Sequence, residues 1–116
     1  MKKIVFVCLG NICRSPMAEF VMKNLTDEFY VESRATSDWE HGNPIHSGTQ
    51  GIFRKYAIPY DKTKTSQQVS RQDFVDFDYI VGMDESNFQE LMKIAPDEYL
   101  EKVFQFAEKS VPDPWY

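Results

Sequence analysis

The chain has 116 residues, of which 42% are hydrophobic and 27% charged, and a formal net charge of −5. That length supports one domain, burying roughly two-thirds of the surface its unfolded form would expose, and leaves no room for a second. Scattered basic residues in an acidic chain exclude the footprint of a nucleic-acid binder, and no apolar run is long enough to span a bilayer.

The apolar stretch after Met1-Lys2-Lys3 imitates a signal peptide, but Asn11 and Arg14 interrupt it before an export core is complete. A cytoplasmic protein is expected, with Cys8 and Cys13 as reduced thiols rather than a disulfide framework.

Residues 3–7 form a short continuous run, KIVFV, that reads as a buried strand. A loop, CLGNICRS, follows at 8–15. Ser15-Pro16 then suggests a helix N-cap and first helical position, and Met17, Phe20, Val21, Leu25 and Phe29 recur at helical spacing. Further strands are expected at 30–35, 77–83 and 102–106. Between them fall helices at 46–57, at 70–74 capped by Ser70, and at 85–94, the last stopped by Pro96.

This alternation predicts a single α/β domain over 1–116. It should have three layers, a four-stranded parallel sheet flanked by helices with right-handed crossovers. In such sheets ligands bind at the carboxyl ends of the strands, which is where CLGNICRS lies.

A loop passing from a buried strand into a helix N-terminus turns backbone N–H groups inward, and the helix dipole adds partial positive charge. That makes an anion cradle the size of a phosphate. Arg14 adds a planar fork able to hold two phosphate oxygens at once. Cys8 stands at the mouth, where the same donors would stabilise its thiolate, and a thiolate facing a phosphate site is a nucleophile. The glycine and lysine pattern of a nucleotide-wrapping loop is absent.

CLGNICRSP resembles the phosphate-binding loop of the low-molecular-weight protein-tyrosine phosphatases. SRATSDW at 33–39, Gly42-Asn43-Pro44, FDYIVGMDESN at 77–87 and Asp113-Pro114-Trp115-Tyr116 appear in family order, so the likeness spans the chain. It implies that Cys8 is the nucleophile, Arg14 the phosphate clamp and Asp113 the general acid. It also makes Leu9, Gly10, Asn11, Ile12, Cys13 and Ser15 the phosphate-binding loop. Within that loop Asn11 would hold the shape with Ser33 as a partner, and Ser15 would donate to the thiolate.

Trp39 and Trp115 would wall the substrate cleft. The implied substrate is a phosphotyrosine-containing protein or peptide, with inorganic phosphate and other oxyanions as inhibitors and no metal or other cofactor. Asp84 is expected to cap a helix and steady the loop.

Cys13 is read either as packing beneath the loop or, from the resemblance, as a thiol that traps oxidised Cys8. His41 and His46 receive no role. Two departures stand out. Where the family usually has Asp-Ser-Ala-Gly-Thr, residues 32–36 read ESRAT, placing the Arg34 cation near the expected cleft. Family members also continue past Tyr116 into a helix that packs on the sheet; without it an apolar sheet face is expected to be left uncovered. A full domain should be monomeric, and a truncated one could self-associate.

Three other readings compete. An arsenate reductase of the same fold needs relay cysteines beyond Cys13. A protein-arginine phosphatase resembles CTGNTCRS, whose second threonine is Ile12 here. A non-catalytic phosphotyrosine-binding remnant would lack Cys8 or Asp113.

Overall fold

The computed structural model describes residues 1–106. Strand β1 (Lys2–Cys8) lies between β2 (Phe29–Ala35) and β3 (Tyr79–Gly82), and β4 (Val103–Gln105) pairs with the far side of β3. All pairings are parallel. Helix α1 (Arg14–Leu25) links β1 to β2, α2 (Ser47–Lys55) and α3 (Arg71–Asp76) lie between β2 and β3, and α4 (Glu85–Ile94) follows β3. The three-layer reading holds.

Because β1 is central and covered on both faces, it is apolar without alternation, yet its side chains still divide by parity. Val5 and Val7 point into a core with Phe74, Phe77, Ile80 and Leu91, beneath α3 and α4. Ile4, Phe6 and Cys8 point the other way, into a cluster with Val31, Met83 and the α1 residues Ala18 and Met22. A third cluster, Phe20, Ile45 and Phe53, joins α1 to the α2 region. Each of these fully buried aliphatic or aromatic side chains contributes about 2 kcal/mol, enough to hold a strained loop at the strand's end.

The helix boundaries follow their caps. Ser70 and Asp73 form a reciprocal capping box at the start of α3, and α4 spans the expected residues because the Asp84 carboxylate accepts from the Asn87 N–H. Helix α2 is shorter than 46–57. His46 Nδ1 accepts the Gly48 N–H at its start, and Ala57, at a φ of 55°, lies in the left-handed region just beyond its end.

Helix α1 departs most from expectation. It starts at Arg14 with Cys13 at the N-cap position, so Ser15 and Pro16 lie in its first turn rather than at its entrance. Proline is tolerated there because its missing N–H is one that no intrahelical carbonyl could serve. The helix stops at Leu25, which is exposed, and Phe29 belongs to β2 instead of an apolar helix stripe. The third strand is also shorter than 77–83. The Phe77 N–H still bonds the Asp73 carbonyl as the end of α3, delaying the strand to Tyr79. A 3-10 turn over Asp97–Lys102 was not anticipated.

Helix α4 packs close against the end of β3. A Cβ on Gly82 would sit 2.7 Å from the Phe88 backbone nitrogen, so glycine is what lets the helix approach. On the opposite face, Ile4, Phe6, Tyr79, Val81 and Phe104 line an open apolar groove of about 420 Å³. Among the described residues no helix closes it.

Candidate active site

Strand β1 hands the chain to CLGNICRS at the point where connections leave for opposite sides of the sheet, β2 on one and β3 on the other. The loop's carbonyls are tied outward. Those of Cys8 and Leu9 accept from Thr36 and Ser37 N–H, that of Ile12 from His46 N–H, and that of Cys13 from Met17 N–H. The Gly10 carbonyl accepts from the Ser66 hydroxyl. With the carbonyls committed outward, the peptide N–H edges turn toward the cleft, and no side chain caps the N-terminus of α1. That arrangement forms a cradle able to receive an anion.

Cys8 Sγ sits at its rim, buried, accepting the Asn11 backbone N–H at 3.2 Å and lying 3.0 Å from Ser15 Oγ. Ser15 Oγ already accepts from Asn11 Nδ2 at 2.9 Å, and its one proton has two acceptors in reach, the Cys8 sulfur and the Arg34 carbonyl at 3.3 Å. When sulfur carries negative charge, the shorter contact is also the charge-assisted one.

Asn11 organises this arrangement. It is 1% exposed and holds a φ of 56°, a conformation costing a residue with a Cβ about 1 kcal/mol. Its Nδ2 also donates to Ser33 Oγ at 2.9 Å, and its Oδ1 accepts from the Gln67 N–H at 3.1 Å. Those bonds, each worth about 1 kcal/mol, outweigh the strain.

Beneath it lies a charged support that the sequence reading missed. Glu19, 2% exposed, accepts from Ser33 Oγ and is bracketed by Lys64 Nζ at 3.0 Å and Lys23 Nζ at 2.6 Å. Lys64 donates as well to the Ser33 carbonyl. A carboxylate this buried persists only when paired on all sides. The available signal was its spacing, four residues after Ser15 and four before Lys23 on one helix face.

Arg14 and Asp84 form an ion pair at 2.6 Å. One oxygen of Asp84 caps α4 and the other holds the guanidinium, which bears out the expected double role. Ile12 and Cys13, both buried, border the cleft with Cys8, Leu9, Gly10 and Arg14. Trp39 stands at its edge, 76% exposed. His46 accepts the Gly48 N–H through Nδ1 and donates its backbone N–H to the Ile12 carbonyl.

Arg34 corrects an expectation. It is buried rather than facing the cleft, its guanidinium paired with Glu32 and Asp73 and lying over the Phe77 ring. Adjacent strand residues face opposite sides of a sheet, so Ser33 pointing toward Glu19 forces Arg34 toward α3. The expected acid Asp113, the expected wall Trp115 and Tyr116 lie outside the described residues.

Among the described residues no three His, Cys, Asp or Glu side chains gather as a metal set, and no helix is long and apolar enough to cross a membrane.

Comparison with known proteins places this geometry. The sequence profile of the low molecular weight phosphotyrosine protein phosphatases matches residues 3–116. The low molecular weight protein-tyrosine-phosphatase PtpA of Staphylococcus epidermidis is 45% identical over 126 residues, covering 100% of this chain and 80% of that protein. The crystal structure of SP-PTP, a low molecular weight protein tyrosine phosphatase from Streptococcus pyogenes, superposes with a TM-score of 0.96. It is 58% identical and covers 100% of this chain and 79% of that one. A Drosophila arginine phosphatase is more distant, with a TM-score of 0.80 and 34% identity over 90% of this chain and 70% of that one. A loop with a sulfur at its rim, held by an asparagine and a serine beside an arginine, thus occurs here in a sequence matched from the first strand to the last residue, and the chain belongs to the low molecular weight phosphotyrosine protein phosphatase family.

Proposed function

We propose that this single-domain enzyme hydrolyses phosphotyrosine in proteins through a phosphocysteine intermediate. The observation that carries it is the Cys8 sulfur held between the Asn11 N–H and the Ser15 hydroxyl at the mouth of the cradle. Cys8 Sγ attacks phosphorus, the phosphorus to phenol-oxygen bond breaks, and Asp113 gives its proton to the leaving oxygen, a phenol with a pKa near 10. Water then attacks phosphorus, the sulfur to phosphorus bond breaks with Ser15 donating to the departing thiolate, and Asp113 takes the water's proton.

Arg14 and the loop amides neutralise the transferred group throughout. The assignment of Asp113 rests on the family motif. Ile12, a branched apolar wall where the arginine phosphatase pattern has threonine, and the exposed Trp39 ring both suit an aromatic leaving group.

Turnover without added metal of p-nitrophenyl phosphate and of phosphotyrosine peptide, exceeding that of phosphoarginine and phosphoserine peptides by about a hundredfold or more, is the expected result. Preference for phosphoarginine would assign the runner-up activity. Binding of phosphotyrosine with no turnover of any substrate would leave only a recognition module.

The same reading carries a cytoplasmic setting, suited to two free thiols, competitive inhibition by inorganic phosphate and other oxyanions, and a monomeric full domain, with self-association through the apolar sheet groove for the 116-residue chain alone. Cys8 and Cys13 border one cleft, which supports a protective disulfide. Peroxide oxidises the Cys8 thiolate to sulfenic acid, and the Cys13 thiol displaces water from it. Paired loss of both free thiols, with activity restored by dithiothreitol, is expected; irreversible sulfinic acid at Cys8 would reject the pairing.

A further inference from the structure

Trp39 divides the surface above Arg14 into two grooves. The first, about 330 Å³, holds Cys8, Ile12 and Cys13 and is the site of the proposed chemistry. The second, about 320 Å³, shares Arg14, Leu9 and Trp39 with it but runs the other way, past Thr36 and Ser37 to Ser86, Asn87 and Glu90 on α4. Of its described lining, Thr36, Ser37, Ser86, Asn87 and Glu90 have no part in the chemistry proposed above.

Its chemistry is that of hydrogen-bond acceptors. Asp84 at the inner end has both oxygens committed, one to Arg14 and one to the Asn87 N–H. Glu90 is exposed on α4 and makes no ion pair or hydrogen bond among the described residues. Asn87 is only 3% exposed, yet its side-chain Oδ1 has no hydrogen-bond donor among them. A buried acceptor without a donor is costly, and this one belongs to a residue bordering the groove, beside an uncommitted carboxylate. Among the described residues Arg14 is the one cation on the border, and it sits where the two grooves meet.

We propose that the second groove is a subsite for a lysine or arginine side chain neighbouring the phosphotyrosine in the substrate protein. Glu90 supplies the opposing charge, and Asn87 Oδ1 accepts from the incoming ammonium or guanidinium. Arg14 borders both grooves, so a phosphate held in the first places the flanking residues of an extended substrate at the mouth of the second. The proposal rests on the phosphatase reading above and adds the substrate class.

The test compares kcat/KM for phosphotyrosine peptides that differ only in carrying lysine, glutamine or glutamate beside the phosphotyrosine, with p-nitrophenyl phosphate as a substrate that has no flanking residue. The wild-type enzyme should prefer the lysine peptide over the glutamate peptide by about tenfold at low salt, and the ratio should shrink as salt rises. Glu90→Lys should bring that ratio to one or below, and Glu90→Gln should give an intermediate value. Turnover of p-nitrophenyl phosphate with equal rates on all three peptides overturns the subsite and leaves the phosphatase standing. A lysine preference that survives Glu90→Lys overturns it too. Failure to turn over p-nitrophenyl phosphate and every peptide removes the phosphatase reading, and the subsite with it.

Discussion

Replacing Cys8 with serine is expected to lower kcat for p-nitrophenyl phosphate by at least about four orders of magnitude. A serine hydroxyl is not ionised near neutral pH, and the Asn11 N–H and Ser15 hydroxyl that flank the sulfur are arranged to receive an anion, not to remove a proton. The cradle itself does not depend on sulfur. Its carbonyls are fixed by Thr36, Ser37, His46, Ser66 and Met17, so the variant should still bind a phosphotyrosine peptide with an affinity comparable to the wild-type KM. Single-turnover kinetics and calorimetry on the two proteins make the comparison. A serine variant within about tenfold of wild type would remove Cys8 from the chemistry.

Asn11→Ala should be the most damaging single change to the loop, costing about 3–5 kcal/mol of stability and lowering kcat about a hundredfold. Four hydrogen bonds involve this residue, three of them through the side chain. Truncation leaves the buried Ser33 hydroxyl short of a donor and the Gln67 N–H without its acceptor. Alanine also keeps the cost of the 56° φ, whereas glycine does not. Asn11→Gly should therefore be about 1 kcal/mol more stable than Asn11→Ala. Thermal denaturation of the three proteins alongside kcat separates backbone strain from lost bonds, and an alanine variant within about 1 kcal/mol of wild type would refute the hub role.

Local signals were the legible ones. The Ser70 box and the Asp84 cap declare α3 and α4 because each is complete within four residues of sequence. Ser15-Pro16 mimics such a signal, but the Ser15 hydroxyl is committed to Cys8 and Asn11 rather than to a helix N–H, so the true start precedes it. The loop's place at the end of a buried strand, with Cys8 and Arg14 at one cleft, could be read from the sequence. Its support could not: Glu19 and Lys64 are far apart in sequence, and only the packing of α1 against β2 and the segment before α3 brings their charges together. Arg34 was open to a better reading, since strand parity alone places it opposite Ser33.

Cys8 is the last residue of the central strand, in register with Ala35, and its carbonyl is bonded to the Thr36 N–H. The sulfur proposed to react thus belongs to the part of a domain whose amides exchange last with solvent, not to a loop that frays on its own. Partial openings that expose most surface loops leave this sulfur in place, so on heating, catalysis and the sheet should fail as one event.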